Sequence, residues 1–193
     1  MKEIGQRLQP YKDIIIFVIM LLLSNYFWKY TVMGEENGLA VMWFGLDITA
    51  PFEWLAELTT NIVYWLVSLF RDTIYQTDAI TLRFTSGSST HIVWACTPLK
   101  QAFIWFCILL ATPGDWKSKL WFVPFGWLCI FVINILRIFA ITLFIEFHPE
   151  WFEILHTYIF KYLFYGLMFL LWVWYVERIR STSRLSASDT DPA

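Results

Sequence analysis

Three side chains could do chemistry together in this 193-residue chain: Cys96, Arg137 and His156. Cys96 stands just before Thr97-Pro98. Threonine as an N-cap and proline in the first helical position are common ways to begin a helix. A helix starting there would leave the amides of Leu99 and Lys100 unpaired beside the sulfur. A helix amino terminus and a nearby ammonium both favour a thiolate. Arg137 lies in Asn134-Ile135-Leu136-Arg137, and Asn134 shares its helix face. An arginine within a span is costly and marks a candidate site, the competing reading being a side chain that snorkels to the headgroups. His156, with His148 as the alternative eight residues earlier, can move protons near neutral pH. These groups fit one scheme. A thiolate attacks a peptide carbonyl, histidine handles protons, and arginine with helix-terminal amides holds the oxyanion.

Other chemistry has little to stand on. Cys107 and Cys129 fall in mid-span, where cysteine behaves as a small hydrophobe, and an inert interfacial residue is the bland reading of Cys96 too. No cysteine pair has metal-like spacing, and no Gly-x-Ser-x-Gly, His-Glu-x-x-His or phosphate loop occurs. Neither metal nor cofactor is expected.

The elements that position these residues follow from composition. Apolar residues make up 58%, aromatics 20% and charged residues 16%. A small soluble domain cannot hide that much apolar surface. The net charge of −2 offers no basic excess for nucleic acid. The fold class is therefore an all-α integral membrane helical bundle. Four segments approach the length needed to cross about 30 Å of hydrocarbon: Ile14–Trp28, Ala95–Ala111, Leu120–Phe147 and His156–Val176. On that scheme Arg137 lies about 25 Å along the third span, counted from Leu120.

Basic residues set the sidedness. Lys2, Arg7 and Lys12 precede the first span, Lys117 and Lys119 sit in the turn after the second, and Arg178, Arg180 and Arg184 follow the last. Those regions are read as cytoplasmic, which puts Cys96, the far end of the third span and His156 at the outer face. Pro51–Phe70, which carries Glu53, Glu57 and Asn61, reads as an amphipathic or re-entrant outer helix, with a fifth span as the other reading. Alternation in Ile80–Phe84 and His91–Trp94 around Thr85–Ser89 predicts a short outer β-hairpin. The chain is read as one membrane domain, residues 1–180, with its catalytic core at about 80–176. The polar stretch 181–193 is read as a disordered cytoplasmic tail.

With order and topology together, the sequence resembles the exosortase/archaeosortase family of membrane cysteine transpeptidases, in a short form. The resemblance rests on Ala95-Cys96-Thr97-Pro98, Asn134-Ile135-Leu136-Arg137, Leu155-His156 and Gly166. It implies Cys96 as nucleophile, Arg137 as oxyanion stabiliser and His156 as general acid/base. Asn134, Leu99 and Lys100 would support them. The implied substrates are exported proteins with a C-terminal tripartite sorting tail, cut at the outer face of the cytoplasmic membrane and passed to a surface acceptor. Thr97-Pro98 departs from the family's small Ser-Gly, and the chain is shorter than members with about eight spans. The alternative reading is a non-enzymatic membrane component of envelope polysaccharide or export machinery. A small transporter and a lipid-modifying acyltransferase are weaker alternatives.

Overall fold

The computed structural model describes residues 12–34 and 40–188, excluding the side chains of His156, Thr157 and 179–188. Lys2 and Arg7, used above for sidedness, lie outside the described residues. Helix α1 (Lys12–Thr31) is followed by a small antiparallel sheet of β1 (Val32–Gly34), β2 (Val41–Trp43) and β3 (Leu46–Asp47). Phe44 and Gly45 close β2 onto β3 with φ of 50° and 81°. Successive positive φ values suit the right-handed twist of a two-residue hairpin, and glycine meets the second without strain. Helix α2 (Thr49–Ser68) comes next, started by Asp47, whose carboxylate accepts from Thr49 N at 2.9 Å.

Helix α2 shows one buried face, Phe52, Ala56, Thr59, Val63 and Val67, at helical spacing. Glu53, Trp54, Glu57, Asn61 and Trp65 occupy the exposed side. A second antiparallel sheet follows, with β4 (Ile74–Asp78), β5 (Thr81–Phe84) and β6 (Ser89–His91). The expected hairpin is thus the β5–β6 pair, and β4 is an added strand paired through Ile74 with Phe84 and Gln76 with Leu82. Leu82, Phe84 and Ile92 are fully buried against Val63, Val67, Ile135 and Ile138.

Helix α3 (Leu99–Ala111) has 13 residues, so it is about 20 Å long. That is shorter than the expected Ala95–Ala111 span, because Trp94–Cys96 forms a 3-10 turn ahead of it. Helix α4 (Trp116–Ile145) has 30 residues, about 45 Å, more than a bilayer needs. After turns at Pro149–Trp151 and Phe152–Ile154 and a π-helical turn at Leu155–Ile159, helix α5 runs Phe160–Ser188. It takes in residues 181–188, part of the stretch that composition reads as a tail.

Helix α3 packs against α1 and α4, and α5 packs against α4 and, through Phe169 and Trp172, against Phe17 of α1. Their shared core includes Phe17, Trp105, Phe122, Ile130, Met168 and Trp172. Gly126 of α4 allows the close approach of α3: any Cβ there would collide with the Trp105 indole. The lipid-type surface is plain on the outside of this layer, where Ile19, Leu22 and Leu23 of α1 and Leu128, Val132 and Leu136 of α4 are exposed. Among the described residues, α1 and α4 are the two helices long and apolar enough to cross a membrane.

Candidate active site

Helix α4 carries the residues that organise the site. Asn134 is fully buried, and its Nδ2 donates to the carbonyl oxygen of Cys96 at 2.9 Å. One turn later, Arg137 is the charged group in electrostatic contact with the Cys96 sulfur. The i, i+3 spacing places both on one face of α4, so a single helix holds the Cys96 backbone and sets a positive charge within electrostatic reach of its sulfur. Cys96 itself closes the 3-10 turn, its N–H donating to Val93 O at 2.8 Å. Its side chain is half-buried and packs toward the core formed with α2 and the second sheet.

The expected cap is not formed as read from sequence. The N-cap position of α3 is Pro98, and Thr97 Oγ1 donates backward to Trp94 O at 2.7 Å. The reason is local: the 3-10 turn leaves Trp94 O as a nearby acceptor, and it also takes the Thr97 N–H at 3.1 Å. Leu99 packs among Val32, Val41 and Phe52. Lys100 instead lines a cavity.

That cavity measures about 420 Å³ and lies where α1, α3, α4 and α5 meet beside Cys96. Arg137, Lys29, Lys100 and Lys161 line it, together with Gln101 and Tyr165. Trp28, Phe52 and Trp94 give it aromatic walls, and Ala95 and Thr97, flanking Cys96, form part of its rim. No carboxylate among the described residues lines it. Among the described residues, the Nε of Arg137, the Oε1 of Gln101 and the Oδ1 of Asn134 are buried with no hydrogen-bond partner. Tyr165 is half-buried and in electrostatic contact with Arg137. Arg137 is thus common to the sulfur and the cavity.

The family model for transmembrane exosortases (Exosortase_EpsH) matches residues 14–176. The chain belongs to the transmembrane exosortase family. The resemblance read from the sequence motifs is thereby borne out, and with it the membrane character implied by composition. The match takes in every exosortase motif position quoted above, from Ala95 to Gly166. No curated protein and no solved structure matches the chain.

Within this exosortase, the predicted residues are not all gathered. Cys96, Asn134 and Arg137 come together. The backbone of His156 lies in the π-helical turn Leu155–Ile159, and its side chain is outside the described part of the structure. Such π turns recur at functional sites. His148 is exposed and engaged elsewhere, with its Nδ1 3.2 Å from Glu150 Oε1 and its ring against Phe144. Among the described residues, no His, Cys, Asp and Glu cluster could hold a metal ion. Reading the sequence missed Lys29, Gln101, Lys161 and Tyr165. The i, i+4 spacing of Lys161 and Tyr165 on α5 was the available signal.

Proposed function

We propose that this exosortase is a cysteine transpeptidase that cleaves the C-terminal sorting tail of exported proteins. The observation that carries the reading is that one face of α4 serves Cys96 twice: Asn134 bonds its carbonyl, and the Arg137 charge lies within electrostatic reach of its sulfur. Burial pushes the Cys96 thiol up, the Arg137 guanidinium opposes that by its charge, and His156 takes the thiol proton as the thiolate forms. The thiolate attacks the scissile carbonyl carbon, forming a C–S bond and a tetrahedral oxyanion. Arg137 stabilises that developing charge. Collapse breaks the C–N bond, and the leaving amine takes a proton from protonated His156. The upstream fragment stays as a thioester on Cys96. In the second half, neutral His156 takes a proton from an acceptor nucleophile, which attacks the thioester carbonyl and expels the Cys96 thiolate.

The sidedness belongs to the same proposal. Lys117 and Lys119 at the α3–α4 turn favour a cytoplasmic location for that end. The cavity end, with Cys96 and the start of α5, then faces the extracytoplasmic side of a multi-pass protein in the cytoplasmic membrane. Its substrates would be exported proteins held there by the hydrophobic helix of a tripartite tail. The test is Cys96→Ala in cells that express a tailed reporter. Processing should stop while the variant still reaches the membrane at wild-type abundance; continued processing would overturn the reading.

A further inference from the structure

The cavity beside Cys96 has a charge pattern that the proposed cleavage does not require. Fourteen basic residues occur in the chain, and eight lie in the three regions read as cytoplasmic. Six remain, and four of those six line this one cavity: Lys29, Lys100, Arg137 and Lys161. They come from four different helices, α1, α3, α4 and α5. The ammonium of Lys100 lies within electrostatic reach of both Lys161 and Lys29. Gathering like charges costs free energy unless an anion answers them. Among the described residues no carboxylate lines the cavity, and the buried Arg137 Nε has no hydrogen-bond partner.

Arg137 also borders a second hollow. A groove of about 180 Å³ runs between α4 and α5, walled by Ile133, Leu136, Leu163, Phe164 and Leu167. It is almost wholly apolar apart from Arg137. Leu136 and Leu163 are 54% and 53% exposed, so the groove opens onto the surface that the spanning helices present to hydrocarbon. A cationic head site and an apolar channel joined at one guanidinium have the shape of an amphiphile.

We infer that these two hollows together bind a phosphate-bearing membrane lipid, its phosphate among Lys29, Lys100, Lys161 and Arg137 and one acyl chain in the groove. Charge selects phosphate over a single peptide carboxylate, because four cations converge where a carboxylate brings one negative charge. The groove selects a lipid over free phosphate, which would leave the apolar channel empty. Lysines at helix ends place the head site at the depth of lipid headgroups. The site is argued from charge and shape alone and holds whether or not Cys96 is a nucleophile.

The test uses the full chain as its Cys96→Ala variant in maltoside micelles, so that binding is read without turnover. Native mass spectrometry should detect a retained adduct of dioleoyl phosphatidic acid and none of dioleoylglycerol, which has the same chains without phosphate. Adding Lys29→Gln and Lys161→Gln should weaken retention at least about tenfold. Both lysines are exposed, and the charge-preserving pair Lys29→Arg and Lys161→Arg should restore binding, which separates lost charge from lost fold. Equal retention of dioleoylglycerol, or of lipid by the glutamine variant, would overturn the inference. So would displacement of phosphatidic acid by inorganic phosphate or by an acidic peptide at equal concentration.

Discussion

At the turn joining α3 to α4, polar groups close on one another. Asp115 accepts from the Ser118 hydroxyl at 2.9 Å and from the Ser118 N–H at 3.2 Å. Lys119, 8% exposed, donates from Nζ to Leu110 O at 3.0 Å, answering a carbonyl at the end of α3. Trp172 Nε1 donates to Thr112 Oγ1 at 3.0 Å, and that hydroxyl donates to Ile108 O at 2.7 Å. The Tyr175 hydroxyl is the exception among them. At the opposite end of the bundle, the Arg137 Nε, Gln101 Oε1 and Asn134 Oδ1 are buried and unanswered among the described residues. Buried polar groups without partners cost roughly 1–3 kcal/mol each. One end spends its polar side chains on closing the fold, and at the other several polar atoms around the cavity have no partner among the described residues.

Removing the charge at the open end tests the contrast hardest. Arg137→Gln should lower the rate of tail processing about 10²–10³-fold, the usual cost of a lost oxyanion donor. The melting temperature in detergent should fall little, because the buried Nε of Arg137 has no hydrogen-bond partner to lose among the described residues. A variant that misfolds but processes normally per folded molecule would reverse the assignment of the two ends. At the closed end the sign should invert. Lys119→Met should cost about 1.5–3 kcal/mol of stability, the value of a hydrogen bond from a charged donor. Processing per folded molecule should be retained, as measured by reporter cleavage normalised to melting-competent protein.

A matched pair sharpens the comparison at smaller magnitude. Thr112→Val keeps shape but leaves the Trp172 indole N–H without its acceptor, and should destabilise by about 1–3 kcal/mol. Asn134→Leu removes both the bond to Cys96 O and the unanswered Oδ1, so its stability change should be near zero while processing drops. Thermal melting and reporter cleavage on the same preparations separate the two outcomes. Equal loss of stability in both variants would mean that the open end is merely another packed layer.

How far the sequence discloses this contrast depends on the range of the signal. The order Cys96, Asn134, Arg137 was legible because helical spacing puts Asn134 and Arg137 on one face whatever the tertiary fold. The buried face of α2 was legible for the same reason, as Phe52, Ala56, Val63 and Val67 repeat within one element. The β5–β6 hairpin showed through its alternation, whereas Ile74-Tyr75-Gln76-Thr77-Asp78 carries one buried residue and becomes a strand only by pairing. The sheet at β1–β3 is shorter still and is held by the ends of α1 and α2, through Trp43 to Thr31 and Val41 to Thr49. Lys29, Lys100 and Lys161 are far apart in sequence and meet only through helix packing. Thr97 shows the opposite failure: a good local capping signal lost to a competing acceptor, Trp94 O, that the 3-10 turn supplies.

The smallest expected effect concerns the acid limb of stability. Hydrogen bonds from the Ser118 hydroxyl and N–H hold the Asp115 carboxyl below the ordinary carboxylate range. A carboxylate with a depressed folded pKa contributes stability that is fully present above its unfolded value. That contribution is lost as pH falls through the folded one. Asp115 is solvent-exposed, so the contribution is small and screened. Asparagine can serve as an N-cap without titrating. Asp115→Asn should therefore melt like the wild type near neutrality and lose less stability between about pH 5 and pH 3, the ordinary carboxylate window. Melting curves collected across that range in one detergent provide the check. If the acid limb is identical in both proteins, the Asp115–Ser118 bonds do not help to close the α3–α4 turn, and the contrast between the two ends rests on Lys119 and Thr112 alone.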